Sequence, residues 1–395
     1  MTTFILRRLV QIVGVTILAA MISFALLNLV PGNPADALKA ERQNEGQNKI
    51  TEEDVQRIKE RLELDLYLPY RFTRWLVGQP NGPIFGLSNL EVGCTTPKQE
   101  RLRYADGRVE IVEVGCANSV TTAELEGRRV GRGILFGDFG LSQTILRDRP
   151  VVDLIGSRLP YTLWLMGIST LLSIVIAVPI GVFSAVRQYS RFDYTMTTVA
   201  FVGASLPSFV FGIFAILLFS ILPYQADWIY LPSGNATFNK DTVIPLLGKI
   251  TKGSPIDYLL HFIMPCAVLT LINIAGWSRF VRASMLEVLS LDYVRTARAK
   301  GVRERLVVLK HALRNSLIPF ITLLAGVLAT LFGGALITET VFNWPGLGRL
   351  FIDALGKYDY NVVNALLFVN VVLLLIGILI TDILYTVVDP RIRLS

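Results

Sequence analysis

Clustered reactive side chains are sparse in this 395-residue chain, and the densest cluster is cationic. From Arg279 to Ser316 it carries nine Lys/Arg against three Asp/Glu. The chemistry open to such a stretch is charge-assisted recognition: Arg295, Arg298 and Lys300 can meet carboxylates on a partner. Among these cations Asp292, Tyr293, Val294, Ala297, Ala299 and Gly301 interleave small and apolar residues, the pattern of a short helix shaped for a partner's groove. Asp292 suits the positive end of that helix, and Gly301 permits a sharp exit that a β-carbon would hinder.

Other chemistries lack their residues. No G-x-x-x-x-G-K-[ST] run is present to cradle phosphates, so ATP is not expected to bind here through a P-loop. There is no H-E-x-x-H and no nucleophile elbow, and His261 and His311 fall at opposite faces of a membrane, against a His-paired metal site. Gly131, Gly133 and Gly137 lack the spacing and the preceding strand of a dinucleotide fingerprint. Asn235-Ala236-Thr237 fits a glycosylation sequon, a pattern short enough to arise by chance. No enzyme activity, bound cofactor or metal is expected of this chain.

The elements that must position the cationic stretch are membrane helices. Hydrophobic residues make up 52% of the chain and charged residues 17%, against about 25% charged in soluble domains. Uncharged runs extend from Leu9 to Val30, Leu159 to Val186, Tyr194 to Ala226, Phe262 to Ser278, Asn315 to Thr338 and Tyr360 to Thr381. Each is near or above the ~20 residues that cross a hydrocarbon core, the fourth with extension through Leu259 and Leu260. The first is too long for the ~7 to 15 residues of a signal-peptide core and lacks a cleavage site, so it is read as a retained span. None contains an ionisable group of the kind that marks proton and ion relays. Asp382, just past the sixth run, is read as a carboxylate that pairs with a basic group near the interface, a proton relay being the alternative.

Short connections give the orientation. Arg7 and Arg8, Arg187 and Arg191, the cationic stretch, and Arg391 with Arg393 all fall on one side, which places both termini in the cytoplasm. The formal net charge of +7 is therefore a topology signal, and nucleic acid is not an expected partner.

Between the first two runs, residues 31–158 are then extracytoplasmic. Thr51 to Leu64 is predicted as a helix capped by Thr51, with Val55, Ile58 and Leu62 on one face. Gly78 to Phe136 reads as a small polar insertion in which RLRYADGRVEIVEV forms a hairpin turning at Asp106-Gly107 as a type I′ turn. Cys94 and Cys116 bracket it; outside the cytoplasm they can form a disulfide that stiffens a small subdomain, two unpaired thiols being the alternative. Cys266, in the fourth run, reads as a small packing residue.

DYVRTARAKG, Asp292 to Gly301, resembles the cytoplasmic coupling loop of ABC-importer permeases, in the dipeptide, oligopeptide and nickel transport family. Against the general pattern of Glu-Ala-Ala, Gly and Ile-x-Leu-Pro, this chain has Arg295-Thr296-Ala297, Gly301 and His311, Leu313 and Arg314. ILRRL, PGNPAD, GDFGLS, RLPYTL, SLPSF, ETVFNWPGLGRL and DPRIRL recur in the family's order, covering the chain apart from about sixty residues at Gly78 to Phe136.

The resemblance implies an all-α membrane protein of six transmembrane helices with a cytoplasmic coupling helix, plus a small extracytoplasmic α+β insertion. It divides the chain into an N-terminal helix (1–30), an extracytoplasmic region (31–158, hairpin insertion at 78–136) and a five-helix core (159–395) holding the loop 279–316. Expected partners are a second homologous permease subunit, two ABC ATPase subunits that bind ATP and Mg, an extracytoplasmic solute-binding protein and the lipid of the cell inner membrane. The implied function is uptake of peptides or similar small solutes, coupled to ATP hydrolysis through residues 287–305; an ion-coupled secondary transporter is the alternative. Asp292, Tyr293, Arg295, Thr296, Ala297, Arg298, Ala299, Lys300 and Gly301 are the expected ATPase contacts. In the fifth run Ala325, Gly326, Ala329, Gly333 and Gly334 form a stripe of small residues for a close helix interface or the pathway. NWPGLG is either a plain turn or the family's gate-like segment.

Overall fold

In the computed structural model the described residues are 2–29, 60, 63–78, 90–103, 109–125, 131–146, 148–330 and 335–388. They contain α1 (Thr2–Leu29), α2 (Leu68–Val77), β1 (Glu91–Arg103), β2 (Val109–Thr121), α3 (Val151–Val186), α4 (Arg191–Ser205) and α5 (Ser208–Gln225, with a π-helical turn at Leu217–Ile221). Next come a short hairpin of β3 (Thr242–Ile244) with β4 (Gly248–Ile250), then α6 (Pro255–Leu289) and α7 (Asp292–Ala299). α8 (Leu313–Thr330), α9 (Leu336–Val341), α10 (Leu347–Gly356) and α11 (Tyr360–Val388) complete the series. The chain is mostly helical, and five helical stretches among the described residues are long and apolar enough to cross a membrane: Leu6–Asn28, Val151–Val186, Ser208–Gln225, Pro255–Leu289 and Tyr360–Ile380.

Two compact units divide the chain: Met1–Thr16 with Ile155–Ile352 and Val369–Ser395, and Ile17–Leu154 with Asp353–Phe368. In the second, α2 presents Phe72, Trp75 and Leu76 to Ala20, Ile134, Phe139 and Phe368. β1 and β2 pair antiparallel, and Cys94 and Cys116 are joined by a disulfide across them, their Cα atoms 5.8 Å apart. Segment 65–67 extends the hairpin on the β1 side through Tyr67 N to Val92 O (2.8 Å) and Cys94 N to Asp65 O (2.6 Å), over a core of Leu66, Val92, Val120 and Leu125. The described pairs nearest the predicted turn are Leu102 with Glu110 and Arg103 with Val109. Tyr104 to Arg108 themselves lie outside the described residues, as do PGNPAD, DPRIRL with Arg391 and Arg393, and most of the helix expected from Thr51 to Leu64. That helix does not reach Leu64, because Glu63 takes φ +54° in a turn. The GDFGLS motif ends on a tether: Asp359 Oδ2 accepts from Ser142 Oγ (2.6 Å), Gln143 N (2.9 Å) and Thr144 N (3.0 Å).

In the first unit the third apolar run is two helices. Pro207 has no N–H to donate and holds the residue before it out of helical geometry; Leu206 sits at ψ 135°, so α4 stops and α5 starts anew. Hydropathy sees one run where the backbone breaks. The fifth run is not one described helix either: Ala335 is non-helical at ψ 70°, and Leu336 to Thr338 belong to α9. Ser190 and Ser254 cap α4 and α6, accepting from Asp193 N (3.2 Å) and Asp257 N (3.3 Å). Asp382 pairs with Arg8 at 2.7 Å, the bland role expected of it. α3 and α6 approach closely along Ala177, Gly181 and Ala185: a β-carbon on Gly181 would lie 2.7 Å from Ser278 O. Trp277, Val281, Met285, Val308, Ala312 and Phe320 fill the same core.

Candidate functional site

α7 is amphipathic over two turns. Val294 and Ala297 point inward onto Val307, Val288, Leu289 and Val302, while Asp292, Tyr293, Arg295, Thr296, Arg298, Ala299 and Lys300 are exposed. Ala297 is therefore spent on its own chain's core, and Ala299 is the alanine open to a partner. Leu291 occupies the cap position, with Asp292 in the first turn near the helix's positive end.

The helix ends in a Schellman motif. Gly301 N donates to Arg298 O (2.9 Å) and Val302 N to Ala297 O (3.3 Å), with Gly301 at φ +77° and Val302 tucked against the buried face. A β-carbon at Gly301 would meet nothing within 4 Å, so glycine is required by the backbone angle and not by crowding. Arg298 then reaches across the turn to Glu304 (2.7 Å), and this hydrogen-bonded pairing holds the Glu304 carboxyl below its usual range. Arg295 stays 70% exposed with only a loose approach of 3.8 Å to Asp292.

One brace ties α7 to α8, and another ties α8 to α6. Asn315 Nδ2 donates to Tyr293 Oη (2.8 Å), and Ser316 Oγ donates to Met285 Sδ (2.9 Å). Arg314, where the general importer pattern has proline, keeps the helix intact from Glu304 into α8, with a π-helical turn at Val307–Ala312. Nearby on α6, Arg282 grips Asp193 of α4 with two bonds, 2.6 and 2.8 Å.

A second polar centre, absent from the sequence reading, lies toward the other end of α6. Glu339 has no exposed surface, and its carboxylate accepts from Thr162 Oγ1 of α3 (3.0 Å) and from Arg349 N at the start of α10 (3.1 Å). Thr162 Oγ1 in turn accepts from Leu347 N (2.8 Å). Burial pushes the Glu339 carboxyl above its ordinary range, opposed by those donors and by the backbones of Gly348 and Ala335. Gly346 and Gly348 make room for the carboxylate; a β-carbon on Gly346 would lie 2.4 Å from it. ETVFNWPGLGRL is thus a helix–turn–helix folded around its own glutamate. Its acidic residue before a Gly-x-Gly turn was the available signal.

Of the small-residue stripe on α8, Gly333 and Gly334 lie outside the described residues, and the side chains of Ala325 and Ala329 are not described. Gly326 is exposed, with nothing within 4 Å of a β-carbon. The close approach seen within the chain uses the other stripe, Ala177-Gly181-Ala185, which has the same four-residue spacing.

Residues 177–394, which hold both centres except Thr162, match the family model described as binding-protein-dependent transport system inner membrane component. The chain belongs to this family. The oligopeptide transport system permease protein AppB of Bacillus subtilis is 42% identical over 258 residues, 65% of this chain and 76% of its own. The dipeptide transport system permease protein DppB of Escherichia coli is 38% identical over 278 residues, 66% of this chain and 78% of its own. A Brucella suis relative is 32% identical over 396 residues and covers the whole of both chains. As an inner membrane component this chain is a multi-pass membrane transport subunit, which accounts for its apolar helices.

Proposed function

We propose that this chain is one permease half of an ATP-driven importer of peptides or similar small solutes. It pairs with a second, homologous permease subunit, two ATPase subunits that hold ATP and Mg, and an extracytoplasmic solute-binding protein. α1, α3, the α4–α5 pair, α6, α8 and α11 supply six crossings, with both termini and α7 in the cytoplasm and the α9–α10 turn at the outer end. The carrying observation is α7 itself, a short helix whose apolar face is anchored at home while Arg295, Thr296, Arg298, Ala299 and Lys300 face outward. Such a surface can meet acidic groups of an ATPase and convey its closure to α6, the helix it directly follows. The names of the relatives, transporters of oligopeptides and dipeptides, support the substrate class. Family membership and uncharged membrane runs disfavour ion coupling.

The test is uptake of a labelled peptide mixture by vesicles containing the whole complex. Arg295→Glu with Arg298→Glu reverses two charges on the exposed face and is expected to cut uptake about tenfold or more, the scale of paired interface charges. The amount of subunit in the membrane should not change. Full uptake by the double variant would refute the assignment.

A further inference from the structure

The two polar centres are joined by one helix. α6 ends at Leu289, next to α7, while its earlier residues Phe262, Met264 and Val268 lie against Trp344 and Phe342 of the turn that Glu339 organises. Twenty-five residues separate Met264 from Leu289, roughly 37 Å of helix. A rod of that length transmits displacement only if something fixes its far end.

The turn has the construction of such a fixture. Trp344 Nε1 donates to Tyr161 O of α3 (3.1 Å), and its ring meets Tyr161 and Phe262 edge-on at 5.9 Å. Val341 lies over Gly212 of α5, where a β-carbon would approach it to 2.9 Å. Asn235 N donates to Phe342 O (2.9 Å), and Arg349 Nη1 donates to Asn343 O (2.7 Å). At the centre Glu339 accepts from α10 and from Thr162, and Thr162 accepts from Leu347, so one carboxylate ties the turn to α3. Amides at a helix N-terminus have no partners within their helix, and a carboxylate there satisfies them and favours the dipole.

We propose that Glu339 is the positioning residue of the coupling movement: its carboxylate locks the turn from Phe342 to Arg349 against α3 and α6, so that displacement delivered at α7 pivots α6 about a fixed outer end. The proposal rests on the permease reading given above. Glu339 does not touch substrate in this scheme; it makes the stroke of α6 productive.

The experiment uses the complete complex in proteoliposomes: this subunit, the second permease subunit, the ATPases and the binding protein. The readout is labelled peptide taken up per ATP hydrolysed. A merely structural defect lowers both rates with the amount of complex and leaves this ratio unchanged. Glu339→Gln keeps the shape but replaces one acceptor oxygen with a donor. It is expected to leave hydrolysis within about twofold and lower the ratio about tenfold or more, the scale of losing charge-assisted bonds in a buried site. Thr162→Val, which keeps the carboxylate but removes its Thr162 donor and the acceptor of Leu347 N, should lower the ratio about threefold. A disulfide between Thr162→Cys and Leu347→Cys in the Glu339→Gln background should restore the ratio when oxidised and lose it on reduction.

An unchanged ratio in Glu339→Gln overturns the proposal, and so does a parallel loss of both rates. If Glu339→Gln fails to assemble, Thr162→Val decides by the same ratio. Failure of the permease reading looks different: the unsubstituted complex itself would show no ATP-linked uptake, and the proposal would fall with it.

Discussion

Glu339 and α7 sit toward opposite ends of α6 and solve the problem of charge in opposite ways. The glutamate is wholly buried and takes its donors from Thr162 and the first residues of α10, so the free-energy cost of its burial is offset within the chain. On α7 the cations stand in solvent: Arg295 is 70% exposed, and Arg298 finds Glu304 just past the turn. An exposed pair of that kind contributes little to stability, with a median of about 0–1 kcal/mol. One region is complete as it stands, and the other leaves its charges to solvent. In the proposed coupling movement the first is the end that holds and the second the end that is moved.

The sharpest way to break this comparison is to force the closed end open. In Gly346→Leu the first added carbon falls 2.4 Å from the Glu339 carboxylate, which is buried and cannot swing aside. A loss of about 3 kcal/mol or more is expected, seen as a lower thermal midpoint of the purified subunit in detergent. A native midpoint would mean that the turn does not close around the glutamate. At the open end the effect is smaller and of another kind. Gly301→Ala should cost about 1–2 kcal/mol in the α7 cap through its positive φ alone, and Gly301→Asn clearly less, because asparagine tolerates that angle. Peptide uptake should follow the same order, and equal defects in the two variants would contradict the backbone explanation. Smallest is Gly326→Ala on α8, expected to shift the isolated subunit by less than about 0.5 kcal/mol, since nothing lies near the added carbon. If that substitution weakens association with the second permease subunit in a pull-down, the exposed stripe faces that partner.

The same contrast explains what could be read in advance. α7 was legible because its information is local: small and charged residues alternate within ten positions, and Gly301 marks where the helix stops. Even there, which alanine faces inward depended on Val307 and Val302, residues beyond the helix. The donors to Glu339 were not legible, because Thr162 lies 177 residues away and the others are backbone amides, which carry no residue signature. Apolar runs located the membrane helices but missed the break at Leu206-Pro207, where hydropathy is continuous and the hydrogen-bond ladder is not. The hairpin was legible in its antiparallel strands, which alternate on either side of a turn-forming pair.

The disulfide between Cys94 and Cys116 has a use apart from stiffness. Thiols in the cytoplasm are kept reduced, and such bonds form and persist on the oxidising side of a membrane. A chain threaded the wrong way would carry the pair as free sulfhydryls open to alkylation, while one inserted with its hairpin outward would be sealed. In the proposed orientation the bond is a chemical stamp of the direction of insertion, readable by mass without any transport assay.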